Sequence, residues 1–101
     1  MAFLKAALVR DVEPGGMVAV EAGGKEIVVV NLECRYYAIG NRCTHMSCLL
    51  SDGTLKDGNV SCPCHGSVFD IRTGNVVNGP AKKPESVYQT KVEGEQIMVD
   101  I

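Results

Sequence analysis

Net charge of either sign is scarce in this chain. With 10 Lys plus Arg against 12 Asp plus Glu, the 101 residues carry a formal net charge of −2, so there is no basic field for a phosphate backbone. Nucleic acid is not the expected partner. Long hydrophobic runs are missing too: the longest span four residues, as at 6–9 and 27–30, against about 20 for a bilayer-spanning helix. Lys5 also breaks the first apolar stretch before it reaches the length of a signal-peptide core. These absences predict a protein with no membrane span, placed in the cytoplasm. No helical apolar period, internal repeat or linker is legible. The glycine pairs at 15–16 and 23–24 lack the spacing of a dinucleotide loop, and no nucleophile stands with a matching base. The chain does not read as an enzyme.

What remains is a pattern of short Val-rich and Ile-rich segments between Gly, Asn and Asp punctuation, which predicts an all-β fold. The length allows one domain, residues 1–101, with one core. Candidate strands lie at 3–9, 17–21, 25–31, 35–39, 87–92 and 96–101. Turns are expected at Ala22-Gly23-Gly24 and at Glu93-Gly94-Glu95, because glycine supplies the positive φ that tight hairpins need. Between the two sets of strands, residues 41–84 hold four of the five cysteines, both histidines and three of the four prolines. This stretch reads as a small subdomain inserted in the β scaffold. Asp57-Gly58 marks a hairpin between 54–56 and 59–61, and Arg72-Thr73-Gly74-Asn75 a further turn.

The inserted stretch carries the chemistry. Two loops read Cys43-Thr44-His45-Met46-Ser47-Cys48 and Cys62-Pro63-Cys64-His65-Gly66-Ser67. As ligands they give C-x-H, sixteen residues, then C-x2-H. Each loop offers one thiolate and one imidazole in the same order, which suits a two-metal cluster with thiolates on one metal and imidazoles on the other. One tetrahedral zinc is the alternative, although structural zinc sites space their ligands C-x2-4-C and H-x3-5-H. Cys34 has no place in either loop and reads as a strand residue.

These loops resemble those of Rieske proteins, whose 2Fe-2S cluster has His in place of Cys on one iron. The resemblance covers most of the chain and reaches Gly79-Pro80-Ala81, which is similar to the family's proline-containing third loop over the cluster. It implies an antiparallel β-sandwich or barrel-like base with an inserted cluster-binding subdomain. It also implies Cys43 and Cys62 on one iron, and His45 and His65 on the other through Nδ1. Cys48 and Cys64 match the family's inter-loop disulfide, in a form found in respiratory Rieske proteins and small archaeal, sulredoxin-like ferredoxins. If the compartment is reducing, that pair can instead stay as thiols. Ser67 matches a serine that donates to a cluster sulfur. Phe69 stands where high-potential members carry a donating tyrosine, so one potential-raising hydrogen bond is missing.

With two thiolates and two neutral imidazoles, an oxidised +2 cluster core is left near zero charge, against −2 for four thiolates. Reduction is correspondingly easier, which is why Rieske potentials lie at about −150 to +300 mV and four-cysteine plant-type ones near about −400 mV. The resemblance therefore implies a soluble one-electron carrier with one 2Fe-2S cluster. It would dock at its His45/His65 tip between a reductase and an oxygenase or respiratory-type partner. A Rieske-fold small subunit of a larger oxidoreductase, as in nitrite reductase, is the alternative. Lys82 and Lys83, after the proline loop, read as a solvated pair.

Overall fold

Ile27, Val28, Val29 and Val30 have no exposed surface at all, and the fold is arranged around them in a computed structural model that describes residues 3–33, 35–44, 48–64 and 66–101. They belong to β3 (Lys25–Leu32), the second strand of an antiparallel sheet ordered β2 (Met17–Ala22), β3, β4 (Arg35–Gly40), β9 (Val87–Tyr88). Side chains alternate across a strand. Ile27 and Val29 accordingly enter one core, with Ala7, Val12, Ala22, Ala38, Ile97 and Val99. Val28 and Val30 enter another, with Ile39, Cys43, Leu50, Val60, Cys62, Phe69, Ile71 and Ala81. A strand buried on both faces needs no polar alternation, and each such side chain contributes about 1.5–3 kcal/mol of burial.

The first core is closed by a second antiparallel sheet, ordered β1 (Phe3–Leu8), β11 (Gln96–Asp100), β10 (Thr90–Glu93). The second core is closed by a four-stranded meander of β5 (Thr54–Lys56), β6 (Asn59–Ser61), β7 (Val68–Asp70) and β8 (Val76–Asn78). The inserted stretch thus forms a sheet of its own, packed on the face of the β2–β3–β4–β9 sheet that points away from the first core. The all-β, antiparallel architecture is the expected one. Among the described residues no helix is long and apolar enough to cross a membrane.

The hairpins follow their turn residues. Asp57 and Gly58 have φ of 53° and 78°, and Gly23 and Gly24 have 59° and 78°; two consecutive positive φ values fit the twist of the flanking strands. Five of the six expected strands are found to within one residue, and one is divided. The first stops at Leu8, because 9–11 form a 3-10 turn in which the Val12 N–H donates to the Val9 carbonyl and the Leu8 N–H to Asp11 Oδ2. The expected strand at 87–92 is two strands, since the chain leaves β4 after Tyr88 and joins β11 from Thr90. Thr90 holds that corner by donating its hydroxyl to the Tyr36 carbonyl at 2.6 Å.

Candidate metal centre

Both Cys/His loops close by the same bond. The N–H of Cys43 donates to the carbonyl of Cys48 at 2.8 Å, and the N–H of Cys62 donates to the carbonyl of Ser67 at 2.7 Å. Each first cysteine is thereby fixed to the residue five positions on. The first loop is braced below by the Leu50 N–H on the Asn41 carbonyl. The buried Asn41 side chain adds two bonds to Ser51, from the Ser51 N–H to Oδ1 and from Nδ2 to Oγ. The second loop turns back through Gly66, whose φ is 77° and whose N–H meets the Cys62 carbonyl.

Cys43 and Cys62 are 2% and 3% exposed and are free thiols. Cys48 and Cys64 are joined in a disulfide with a Cα–Cα distance of 6.4 Å. The sulfurs of Cys48, Cys62 and Cys64 lie within 4.8 Å of one another. Two of those three are consumed in the disulfide, so Cys62 alone remains as a thiolate donor of that group. The staple therefore stands against the second-loop thiol. His45 and His65 lie outside the described residues, as does Cys34.

A third segment covers the loops. Gly79 and Pro80 are joined by a cis peptide bond, and Ala81, next in sequence, is buried. Ala81 donates its N–H to Ser67 Oγ at 3.0 Å, which ties this segment to the second loop. Thr44 donates its hydroxyl to the Lys83 carbonyl at 2.6 Å, which ties it to the first. Phe69, fully buried, shares the core of Cys43 and Cys62.

One buried acid in this region had no sequence signal. Glu85 is 7% exposed, and its Oε2 has no hydrogen-bond partner. Burial pushes its carboxyl pKa up to about 7, although the Thr44 N–H that it accepts works in the opposite direction. Arg42, beside Cys43, is engaged in an ion pair with Glu26, whose carboxyl pKa the Arg42 hydrogen bond lowers.

The surroundings fit a cluster of low net charge. Two thiols free of the disulfide face a core of valine, isoleucine and phenylalanine, and no Lys or Arg is buried among the described residues. A site with four thiolates would put −2 into that core uncompensated, whereas two thiolates with two neutral imidazoles would not.

Comparison with known proteins agrees. The ferredoxin component of the naphthalene 1,2-dioxygenase system of Pseudomonas aeruginosa is 31% identical over 99 residues, covering 98% of this chain and 95% of that protein. The ferredoxin of carbazole 1,9a-dioxygenase from Nocardioides aromaticivorans IC177 superposes with a TM-score of 0.93 at 31% identity, covering 98% and 97% of the two chains. One chain of the complex of reduced oxygenase and oxidized ferredoxin in carbazole 1,9a-dioxygenase matches with a TM-score of 0.90 at 31% identity, over 96% of this chain and 91% of that one. A protein from Mycobacterium tuberculosis assigned as the small subunit of an NADH-dependent nitrite reductase has a TM-score of 0.86 at 22% identity, over 97% of this chain and 93% of that one, a likeness of fold alone. The family model for the Rieske [2Fe-2S] domain matches residues 2–99, and the chain belongs to that family, with one Rieske-type 2Fe-2S cluster as its cofactor.

Proposed function

We propose that this chain is a cytoplasmic one-electron carrier that takes electrons from a reductase and delivers them to a terminal oxygenase. Cys43, His45, Cys62 and His65 hold the cluster. The observation that carries the reading is the identical closure of the two loops around buried, unbonded thiols at Cys43 and Cys62. It stands in a chain alike over nearly its whole length to ferredoxin components of dioxygenase systems.

When bound, the cluster supplies one reversible electron. The protein's residues supply the rest. Cys43 and Cys62 offer thiolates from the apolar core, where exclusion of water keeps the charge change on reduction from being fully screened. His45 and His65 offer imidazoles at neighbouring loop positions and form the tip at which partners dock. Ser67 and Ala81 hold the covering segment down. The rim at Pro63, Cys64, Gly66, Gly79 and Pro80 is exposed and made of small, uncharged residues, so a partner surface can approach closely.

The test is a stopped-flow experiment under anaerobic conditions. Protein reduced by one equivalent of dithionite is mixed with the oxidised oxygenase component of a naphthalene dioxygenase. The reading predicts reoxidation of this protein with matching reduction of the oxygenase cluster. Absence of transfer, with both clusters intact, overturns the oxygenase assignment.

A further inference from the structure

The three loop segments around the centre, 43–50, 61–68 and 76–84, contain no Asp, Glu or Arg. Their charged side chains are Lys82 and Lys83. Both lysines are exposed, and with Thr44 and Pro80 they line an open concavity of about 470 Å³. The bond from the Thr44 hydroxyl to the Lys83 carbonyl holds the lysine segment against the first loop. The next acid along the chain, Glu85, is turned into the interior, so it offers little neutralisation at the surface. The ion pair with Glu26 offsets the Arg42 charge. A molecule with a net charge of −2 therefore presents a positive patch at its cluster end.

We infer that the concavity between Thr44, Pro80, Lys82 and Lys83 is where a protein redox partner lays an acidic surface segment, its carboxylates paired with the two lysine ammonium groups. This rests on the reading that electrons leave at the cluster end. Such rim charges act on encounter rate and orientation more than on final affinity. Their field fades over about 8 Å at physiological salt, so it discriminates only contacts made close to the loops.

The experiment uses the intact holoprotein and small probes of opposite charge. Reduced protein is oxidised by hexacyanoferrate(III) or by tris(phenanthroline)cobalt(III) as ionic strength rises from about 10 to 300 mM. In parallel, the lysines are ¹³C-methylated and titrated with redox-inert, paramagnetic hexacyanochromate(III). The patch predicts that the rate with the anionic oxidant falls about threefold or more with added salt. The net charge of the whole molecule predicts the reverse. Lys82→Gln with Lys83→Gln should flatten the dependence, and Lys82→Glu with Lys83→Glu should invert it. The methyl signals of Lys82 and Lys83 should broaden before those of Lys5, Lys25, Lys56 and Lys91. A rate that rises with salt in the parent, or earlier broadening of the other lysines, overturns the inference and leaves the exit reading standing. Broadening at Lys82 and Lys83 with oxidation rates indifferent to the substitutions overturns both.

Discussion

Ser67 accepts the N–H of Ala81 through its hydroxyl oxygen, at 3.0 Å and out of contact with solvent. A serine hydroxyl can accept and donate at once, so this bond leaves the Ser67 proton available to a cluster sulfur, the role that the Rieske resemblance implies for it. Ser67→Ala should then have two separable effects. The orphaned Ala81 N–H costs about 1–3 kcal/mol of stability. Loss of the donor lowers the reduction potential by roughly 20–60 mV, the one-electron equivalent of a typical net hydrogen bond. Voltammetry and thermal loss of colour measure the two. A destabilised protein with an unchanged potential would assign Ser67 to the loop alone.

The Cys48–Cys64 crosslink has a sequence separation of 16, and the chain-entropy relation gives about 3 kcal/mol for a loop near that length. Cys48→Ser with Cys64→Ser should still assemble the cluster, since Cys43 and Cys62 are untouched. It should lose colour at a lower temperature than the parent. Equal loss in both would show that the crosslink does not brace the loops.

Much of this architecture was legible because local chemistry and tertiary structure agree. Asp57-Gly58 encodes two positive φ values directly, and the strands expected on either side, 54–56 and 59–61, are β5 and β6 as found. The Cys48–Cys64 bond follows the pairing that the loop resemblance implies. Other features leave no local trace. The break at Gln89 depends on which sheet each flanking segment joins, and no Gly or Pro marks it. Nothing in the sequence around Glu85 marks it for burial, which comes from its N–H on the Gly74 carbonyl and the Ser86 carbonyl on the Gly40 N–H, two contacts far apart in sequence. Lys82 and Lys83 read as a solvated pair. Only the fold brings them to one concavity with Thr44.

Phe69 is fully buried in the core that holds both free thiols. Phe69→Tyr should raise the potential by roughly 20–60 mV where the new hydroxyl donates to a cysteine sulfur, because a donor favours the more negative reduced state. No change, with stability lowered by the buried hydroxyl, would mean that the ring edge points away from the cysteines.

Glu85 makes stability depend on pH with a definite sign. Its folded-state pKa of about 7 lies above the ordinary carboxyl value of 4.5, so between these values the folded protein holds a proton that the unfolded chain has released. Stability is therefore highest at the acid end of the window and falls as pH rises through it, by up to about 3 kcal/mol. Glu85→Gln cannot ionise and should flatten the dependence of the thermal midpoint between about pH 5 and 8. An unchanged slope in the variant would place the titrating group elsewhere.

The central claim is that His45 and His65, one from each loop, complete a ligand set begun by Cys43 and Cys62. Electron–nuclear double resonance on the reduced protein, with ¹⁵N introduced only in histidine, reads those ligands directly because both histidines of the chain are assigned to the cluster. The account predicts two ¹⁵N couplings in the parent and one in His65→Cys, whose remaining cluster has the lower potential that an added thiolate charge gives. A parent signal with no histidine coupling, or a single coupling that persists in His65→Cys and in His45→Cys alike, would contradict it.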